Sequence, residues 1–243
     1  MRSRTSRILR RTAATAFILL CTAAASNAQY LDQSRSYAPA DARYLSAGFF
    51  ERDFRPRGTN NAPESLAVAY TRIMPVVGFR QGSFDMLFGY TTYDLNGASR
   101  SAIFFGVTFT GDYLLAGNRE NALVLPFLVD ADFTKSESSG GLHDNFDVGS
   151  IGVGTGIKYR TIGESVDFSV MAAAIIHYSF DGYSLQTGSS PAAVAEAVAI
   201  LPYIGIWNGL AIGYRFRYQA WSLGSGRYDY KTVNNGAFIC VMF

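Results

Sequence analysis

The chain has 243 residues, 49% hydrophobic and 14% aromatic, with 21 Lys and Arg against 19 Asp and Glu and a formal charge of +2. Five arginines, Arg2, Arg4, Arg7, Arg10 and Arg11, stand in the first eleven residues, and without them the chain is acidic by about three charges, which removes the compositional case for nucleic-acid binding. Only Cys21 and Cys240 are present, and no nucleotide or metal motif stands out, so an internal disulfide, a Cys-rich metal site and a bound cofactor are not expected.

The first element is a leader. The arginines are followed by a mostly apolar stretch, Ala13 to Ala25, and by the small residues Ser26-Asn27-Ala28, which predicts a signal peptide over 1–28 cleaved after Ala28. The apolar stretch is shorter than the roughly 20 residues a membrane helix needs. Leu20 precedes Cys21 where a lipoprotein signal favours a small residue, so lipidation is not expected. Residues 29–43, with Asp32, Ser34, Ser36, Pro39 and Asp41, read as a polar lead-in.

From residue 44 onward no apolar run approaches the length of a membrane helix; segments of ten to fifteen residues alternate in character between clusters of Gly, Asn, Asp and Ser. In chain order the predicted strands are 44–52, 64–75, 82–93, 100–114, 122–132, 147–160, 165–180, 192–206, 210–221 and a last strand ending Ala237, Ile239, Val241, Phe243. In 147–160, Ile151, Val153, Ile157 and Tyr159 share one face, while Gly152, Gly154, Gly156, Lys158 and Arg160 share the other. Side chains flip at every residue of a strand, so such a pattern separates an oily face from a polar one. In 165–180, Val166, Phe168, Val170, Ile176, Tyr178 and Phe180 oppose Asp167, Ser169 and His177; in 210–221, Leu210, Ile212, Tyr214, Phe216 and Tyr218 oppose Gly213, Arg215, Arg217 and Gln219. The segment 44–52 has the weakest pattern, but an even strand number requires it; eight strands, with one hairpin divided wrongly, is the alternative.

This pattern resembles the broad family of small bacterial outer-membrane β-barrels over residues 44–243. The resemblance implies an all-β fold, a transmembrane antiparallel up-and-down β-barrel, in the Gram-negative outer membrane with both termini periplasmic. The terminal aromatic Phe243 resembles the assembly signal of such barrels, which implies the barrel-assembly machinery as a partner, with outer-membrane lipid and lipopolysaccharide as surroundings. Walking back from Phe243 places the long connections, 224–229, 181–191, 133–146, 94–99 and 53–63, at one end. The short ones, Trp207 to Gly209, Ile162 to Glu164, Ala116 to Asn121 and Val76 to Gln81, fall at the other. Tyr90, Tyr93, Phe133, Tyr178, Phe180 and Trp221 are expected at the outer headgroup level, and Phe84, Tyr113, Tyr159, Phe168, Trp207 and Phe243 at the inner one.

Function then rests on lumen and loops. Asp85, Asp112, Lys158, Arg160 and Asp167 are expected inside the barrel near the periplasmic end, and Arg215 and Arg217 near mid-height, with inward glycines leaving room opposite the arginines. Both signs together point to a lumen largely filled by paired side chains, and hence to a structural or surface role. A narrow, porin-like path for small or hydrophobic solutes is the alternative. No catalytic residue is assigned, and the chain is not expected to be an enzyme. Two weaker resemblances supply candidates. Asp130 and Asp132, His177 and the loop residues His143 and Asp144, all expected at the outer rim, look like the aspartate and histidine cluster of the omptin proteases, although His177 lacks the aspartate that precedes histidine on one strand there. His177-Tyr178-Ser179 looks like the His-x-Ser of lipid A deacylases, with Glu196 as the assisting carboxylate, although Phe180 stands where that family resembles Asn.

Overall fold

Strands that cross hydrocarbon leave no backbone group unpaired only when their sheet closes on itself. The structure, a computed structural model, describes residues 43–243 apart from 58–67, 119, 139–144, 164, 183–185, 205–206 and 225–228 and the side chains of 203–204 and 207–208. The leader 1–28, the lead-in before Arg43, and His143 and Asp144 lie outside the described residues.

Ten strands follow one another: β1 (Arg43–Pro56), β2 (Tyr70–Gln81), β3 (Phe84–Leu95), β4 (Ala98–Gly117), β5 (Asn121–Ser136), β6 (Phe146–Ile162), β7 (Asp167–Asp181), β8 (Thr187–Ile204), β9 (Trp207–Leu223) and β10 (Tyr230–Met242). Each pairs antiparallel with the next, and β1 pairs with β10, so the sheet is a closed up-and-down barrel. The closure brings both ends of the barrel domain together, with the Phe243 amide donating to the Arg43 carbonyl at 3.0 Å. The count is ten rather than eight, and the weak segment 44–52 is a full strand, in register with β10 from Tyr44 opposite Met242 to Pro56 opposite Tyr230. The short connections gather at the end that carries the termini, and the long ones, with the two-residue turn Asn96-Gly97, at the other. We call these the termini end and the loop end.

Two predicted turns are displaced. Val76 to Gln81 belongs to β2, and the turn is Gly82-Ser83, where Gly82 takes a left-handed φ of 53°. Trp207 to Gly209 opens β9 instead of connecting to it. Pro75 is the cause of the first error, because proline cannot donate to a ladder and reads as a stop. Here Pro75 stands one residue beyond the last β2–β3 pair, Val76 with Gly89, where no donor is called for. The same device recurs: Pro126 falls between the pairs Val124–Lys158 and Phe127–Thr155, and Pro191 between Ser189–Ser222 and Ala192–Gln219.

Alternation sorts the faces as expected. Ile73, Val153, Ile176, Tyr178 and Ile239 are exposed on the outside, Ile176 to 71%, whereas Met74 and Ile175 are buried within. This outer belt is the lipid-facing surface of a transmembrane barrel. Tyr93 and Trp221 depart from expectation, for both point inward and are buried instead of lying at headgroup level. The glycines of β6 depart as well. Their missing side chains admit β7 rather than an arginine: a Cβ at Gly152 would lie 2.5 Å from the His177 ring, and one at Gly156 would lie 2.0 Å from the Ala172 carbonyl and 2.5 Å from the Ala173 Cα. The backbone obstructs at Gly156, so Gly156→Val is expected to prevent closure between β6 and β7. Loss of the heat-modifiable folded band on a semi-native gel is the measurement, and a normal folded band would contradict it.

Candidate functional site

The inward faces fill the barrel in layers. At the loop end, strand alternation brings Phe54, Tyr70, Tyr93, Phe146, Trp221 and Tyr230 into one buried aromatic cluster, with Val68 and Leu223. Ring centroids lie 4.2 Å apart for Tyr70 and Tyr93, 4.8 Å for Phe54 and Tyr230, 5.0 Å for Phe54 and Phe146, and 5.2 Å for Phe146 and Trp221. Stacked and edge-to-face pairs at such distances attract beyond the area they bury.

Below the rings is a charged layer. Asp130 and Asp132 share one face of β5, Arg217 and Gln219 one face of β9, and His177 and Ser179 one face of β7, because residues two apart on a strand point the same way. Arg217 Nη2 donates to Asp130 Oδ2 at 2.7 Å and to Asp132 Oδ2 at 2.9 Å. Thr108 donates to Asp130 at 2.6 Å, and Gln219 Nε2 to Asp132 at 3.0 Å. His177 Nε2 lies 2.8 Å from Asp130 Oδ2, and its Nδ1 lies 2.8 Å from the Ser190 carbonyl. Trp221 Nε1 caps the layer by donating to Ser150 at 3.2 Å.

Nearer the termini end, Arg80 and Arg215 face Asp85 and Glu196. Arg80 Nη2 donates to Asp85 at 3.0 Å and to Glu196 at 3.0 Å; Arg215 donates to Asp85 at 2.6 Å and, through Nε, to Glu196 at 2.7 Å. Lys158 pairs with Asp112 at 2.6 Å. A cavity of about 150 Å³ is lined by residues from the turn Gly82-Ser83 at the termini end, past this quartet, to Asp130 and Arg217 of the upper layer, with Phe50, Leu87 and Phe104 among its apolar lining.

The expected lumen charges are therefore inside, and all but two of them pair. Arg160 and Asp167 stand near the mouth at the termini end with no ion pair among the described residues, and Arg160 Nε is buried without a hydrogen-bond partner. The rim placement of Asp130, Asp132 and His177 is wrong. β5 runs on to Ser136 and β6 begins at Phe146, so the three lie beneath the aromatic layer, and Asp130 and His177 are each only 1% exposed. Proximity is right, since Asp130 and His177 touch. Glu196 does not join His177 and Ser179; it is in register with Met171 and Arg215 and belongs to the lower quartet. Ser179 Oγ instead bonds Ser150 at 2.9 Å and Ser190 at 2.7 Å. Sequence reasoning missed Arg80, placed in a turn, and the buried Arg52, and it put Gln219 on the polar face with Arg215 and Arg217 without giving it a role. Gln219 and Trp221 share the parity of Arg215 and Arg217, which was the available signal.

The chemistry open to this cluster is limited by its contacts. The two nitrogens of His177 are directed at the Ser190 carbonyl and the Asp130 carboxylate, so neither is directed at Ser179. Asp130, Asp132 and His177 bring ligand atoms within 4.8 Å of one another, a spacing that could hold a metal ion, but Arg217 Nη2 already supplies the cation between the two carboxylates.

No protein-family model matches the chain, and no curated protein matches it. Among solved structures, Neisserial surface protein A is similar at 14% identity over 83% of this chain and 99% of that one, with a TM-score of 0.34. The outer membrane protease OmpT of Escherichia coli is similar at 10% identity over 86% and 98%, with a TM-score of 0.40. Ail, the attachment invasion locus protein of Yersinia pestis, is similar at 9% identity over 84% and 99%, with a TM-score of 0.24. Their names span different roles, and the likeness is one of outer-membrane barrel fold alone.

Proposed function

We propose that the protein is a bacterial outer-membrane barrel sealed along its axis, which acts through its outer surface and loops rather than as a pore or an enzyme. Export by the leader 1–28, assembly through the strand ending in Phe243, and termini in the periplasm belong to the same reading. So do outer-membrane lipid and lipopolysaccharide as its surroundings. The observation that carries it is the aromatic layer, six rings buried between the loop end and the ionic layer beneath. Support comes also from the lumen charges, because each paired carboxylate and guanidinium occupies space a solute would need and would be costly to separate.

Proteoliposomes loaded with radiolabelled sucrose provide the test. Efflux should be no faster than from liposomes without protein, and rapid efflux would overturn the sealed-barrel reading.

A further inference from the structure

One ladder of the ring stops early. β2 and β3 are in register from Gln81 opposite Phe84 to Val76 opposite Gly89, yet both strands run on toward the loop end, β2 to Tyr70 and β3 to Leu95. Their other sides stay in the sheet, since Tyr70 to Pro75 pair with β1 and Tyr90 to Leu95 with β4. Side chains bridge the rest of this seam. Tyr70 stacks on Tyr93 at 4.2 Å and Arg72 faces Asp94 at 3.8 Å, both toward the loop end, while Thr91 Oγ1 donates to the Ile73 carbonyl at 3.0 Å nearer the last pair.

Backbone groups left unpaired toward hydrocarbon are costly, so a break in a membrane wall needs compensation. Pro75 has no N–H to leave open, and the Thr91 hydroxyl stands in for a ladder donor. The break is therefore provided for by the residues at it. Ile73, Val77, Phe88 and Tyr90 are exposed around it, which gives it an apolar outer surround.

Behind the break stands a flexible side chain. Met74 is opposite Phe50 on β1, and Gly89 is opposite Phe104 on β4; Phe50 and Phe104 line the lumen cavity, and Met74 does not. Met74 is fully buried in one cluster with Phe50, Val76 and Phe104, and its Cε lies 2.8 Å from where a Cβ on Gly89 would be. The missing side chain of Gly89 is thus the space that the end of Met74 fills. Methionine is unbranched and turns about three bonds, so it can leave that space without a shift of backbone.

We propose that the gap between β2 and β3 is a lateral portal by which a small neutral aromatic molecule dissolved in the bilayer enters the lumen cavity, with Met74 as its gate. Size and lining select the ligand. At about 150 Å³ the cavity has the volume of one that holds benzene, and Leu87, Leu128 and Ile175 continue the apolar wall of Phe50 and Phe104. The charged lining of Arg80, Asp85, Glu196 and Arg215 is already paired within itself, which favours an uncharged guest. The route passes beneath the aromatic layer, so it stands or falls separately from the sealed axis.

The test uses the full barrel. Wild-type crystals soaked in iodobenzene should show an anomalous iodine peak beside Phe50, Leu87 and Phe104, and crystals without that peak would overturn the site. The route is read from fluorobenzene exchange, followed by fluorine NMR on the barrel in lipid nanodiscs. Thr91→Val removes the bond that ties the seam without touching the cavity lining, so association and dissociation should both quicken about fivefold with Kd unchanged, the worth of one net hydrogen bond. Ser83→Trp, in the turn at the termini end, should leave both rates as they are. Unchanged rates in Thr91→Val, or exchange slowed by Ser83→Trp, would overturn the portal. The crystals and the turn variant decide the proposal even if Thr91→Val does not fold.

Discussion

Arg217→Met is expected to destabilise the barrel by about 3–5 kcal/mol, the usual cost of removing one partner from a buried ionic cluster. Arg217 bridges Asp130 and Asp132, both almost wholly buried, so methionine leaves two carboxylates facing each other with one cationic contact fewer. Gln219 would lose its acceptor role as well, since Arg217 donates to its Oε1 at 3.0 and 3.1 Å. The cause can be separated from simple loss of packing. Adding Asp130→Asn and Asp132→Asn removes both negative charges and should restore most of the stability, because the energy at stake is the desolvated charge and not the side-chain volume. Urea midpoints in lipid vesicles measure both steps. A single variant within about 1 kcal/mol of wild type would show that the layer is hydrated or differently paired.

Trp221→Ala should have an effect of similar size for a different reason. The indole is fully buried and touches Phe54 and Phe146, and its Nε1 donates to Ser150. The indole belongs to one buried cluster with these rings and with Val68, Val148 and Leu223, so deletion opens a cavity that its neighbours fill only in part. Large-to-small changes of an aromatic residue in such surroundings cost about 3–5 kcal/mol. Trp221→Phe keeps much of the ring volume and loses the Ser150 bond, so it should retain more than half of the stability that Trp221→Ala loses. Equal midpoints for Trp221→Ala and wild type would mean that the rings do not form a packed plug.

Most of the wall was legible because a membrane strand must obey a period of two. Ile151, Val153, Ile157 and Tyr159 against the glycines of β6 leave one orientation in which an oily face meets lipid, and the structure adopts it. Strand ends were harder. Thr134, Lys135 and Ser136 look like loop composition, yet they continue β5, and that extension moves Asp130 and Asp132 from a rim into the interior. Pro75 hid the second half of β2, and Arg80 with it. An aromatic near a strand end has two possible homes, headgroup level or lumen. The parity that Trp221 shares with Arg217 and Gln219 decides for the lumen, as does that of Tyr93 with Thr91 and Gly89.

Apart from the nearness of Asp130 and His177, partners across the barrel were not legible. Arg52 meets Tyr70 and Thr134, and Arg80 meets Glu196 116 positions away, contacts set by the closure of β1 on β10 and by the stagger of the ring. Local pattern gives which residues face inward, but not which of them stand at the same height. That is why the lumen charges and the nearness of His177 to Asp130 were foreseen, while the two layers, the cavity and the burial of the His177–Asp130 contact were not.

Single-channel recording in planar bilayers tests the central claim most directly, since the claim is that the axis of this barrel is closed. Wild-type protein inserted at low density should give a flat baseline at both polarities, without discrete steps. Steady, repeated conductance steps whose number grows with the amount of protein would show that the rings and ion pairs leave a continuous path, and the sealed barrel would have to be abandoned.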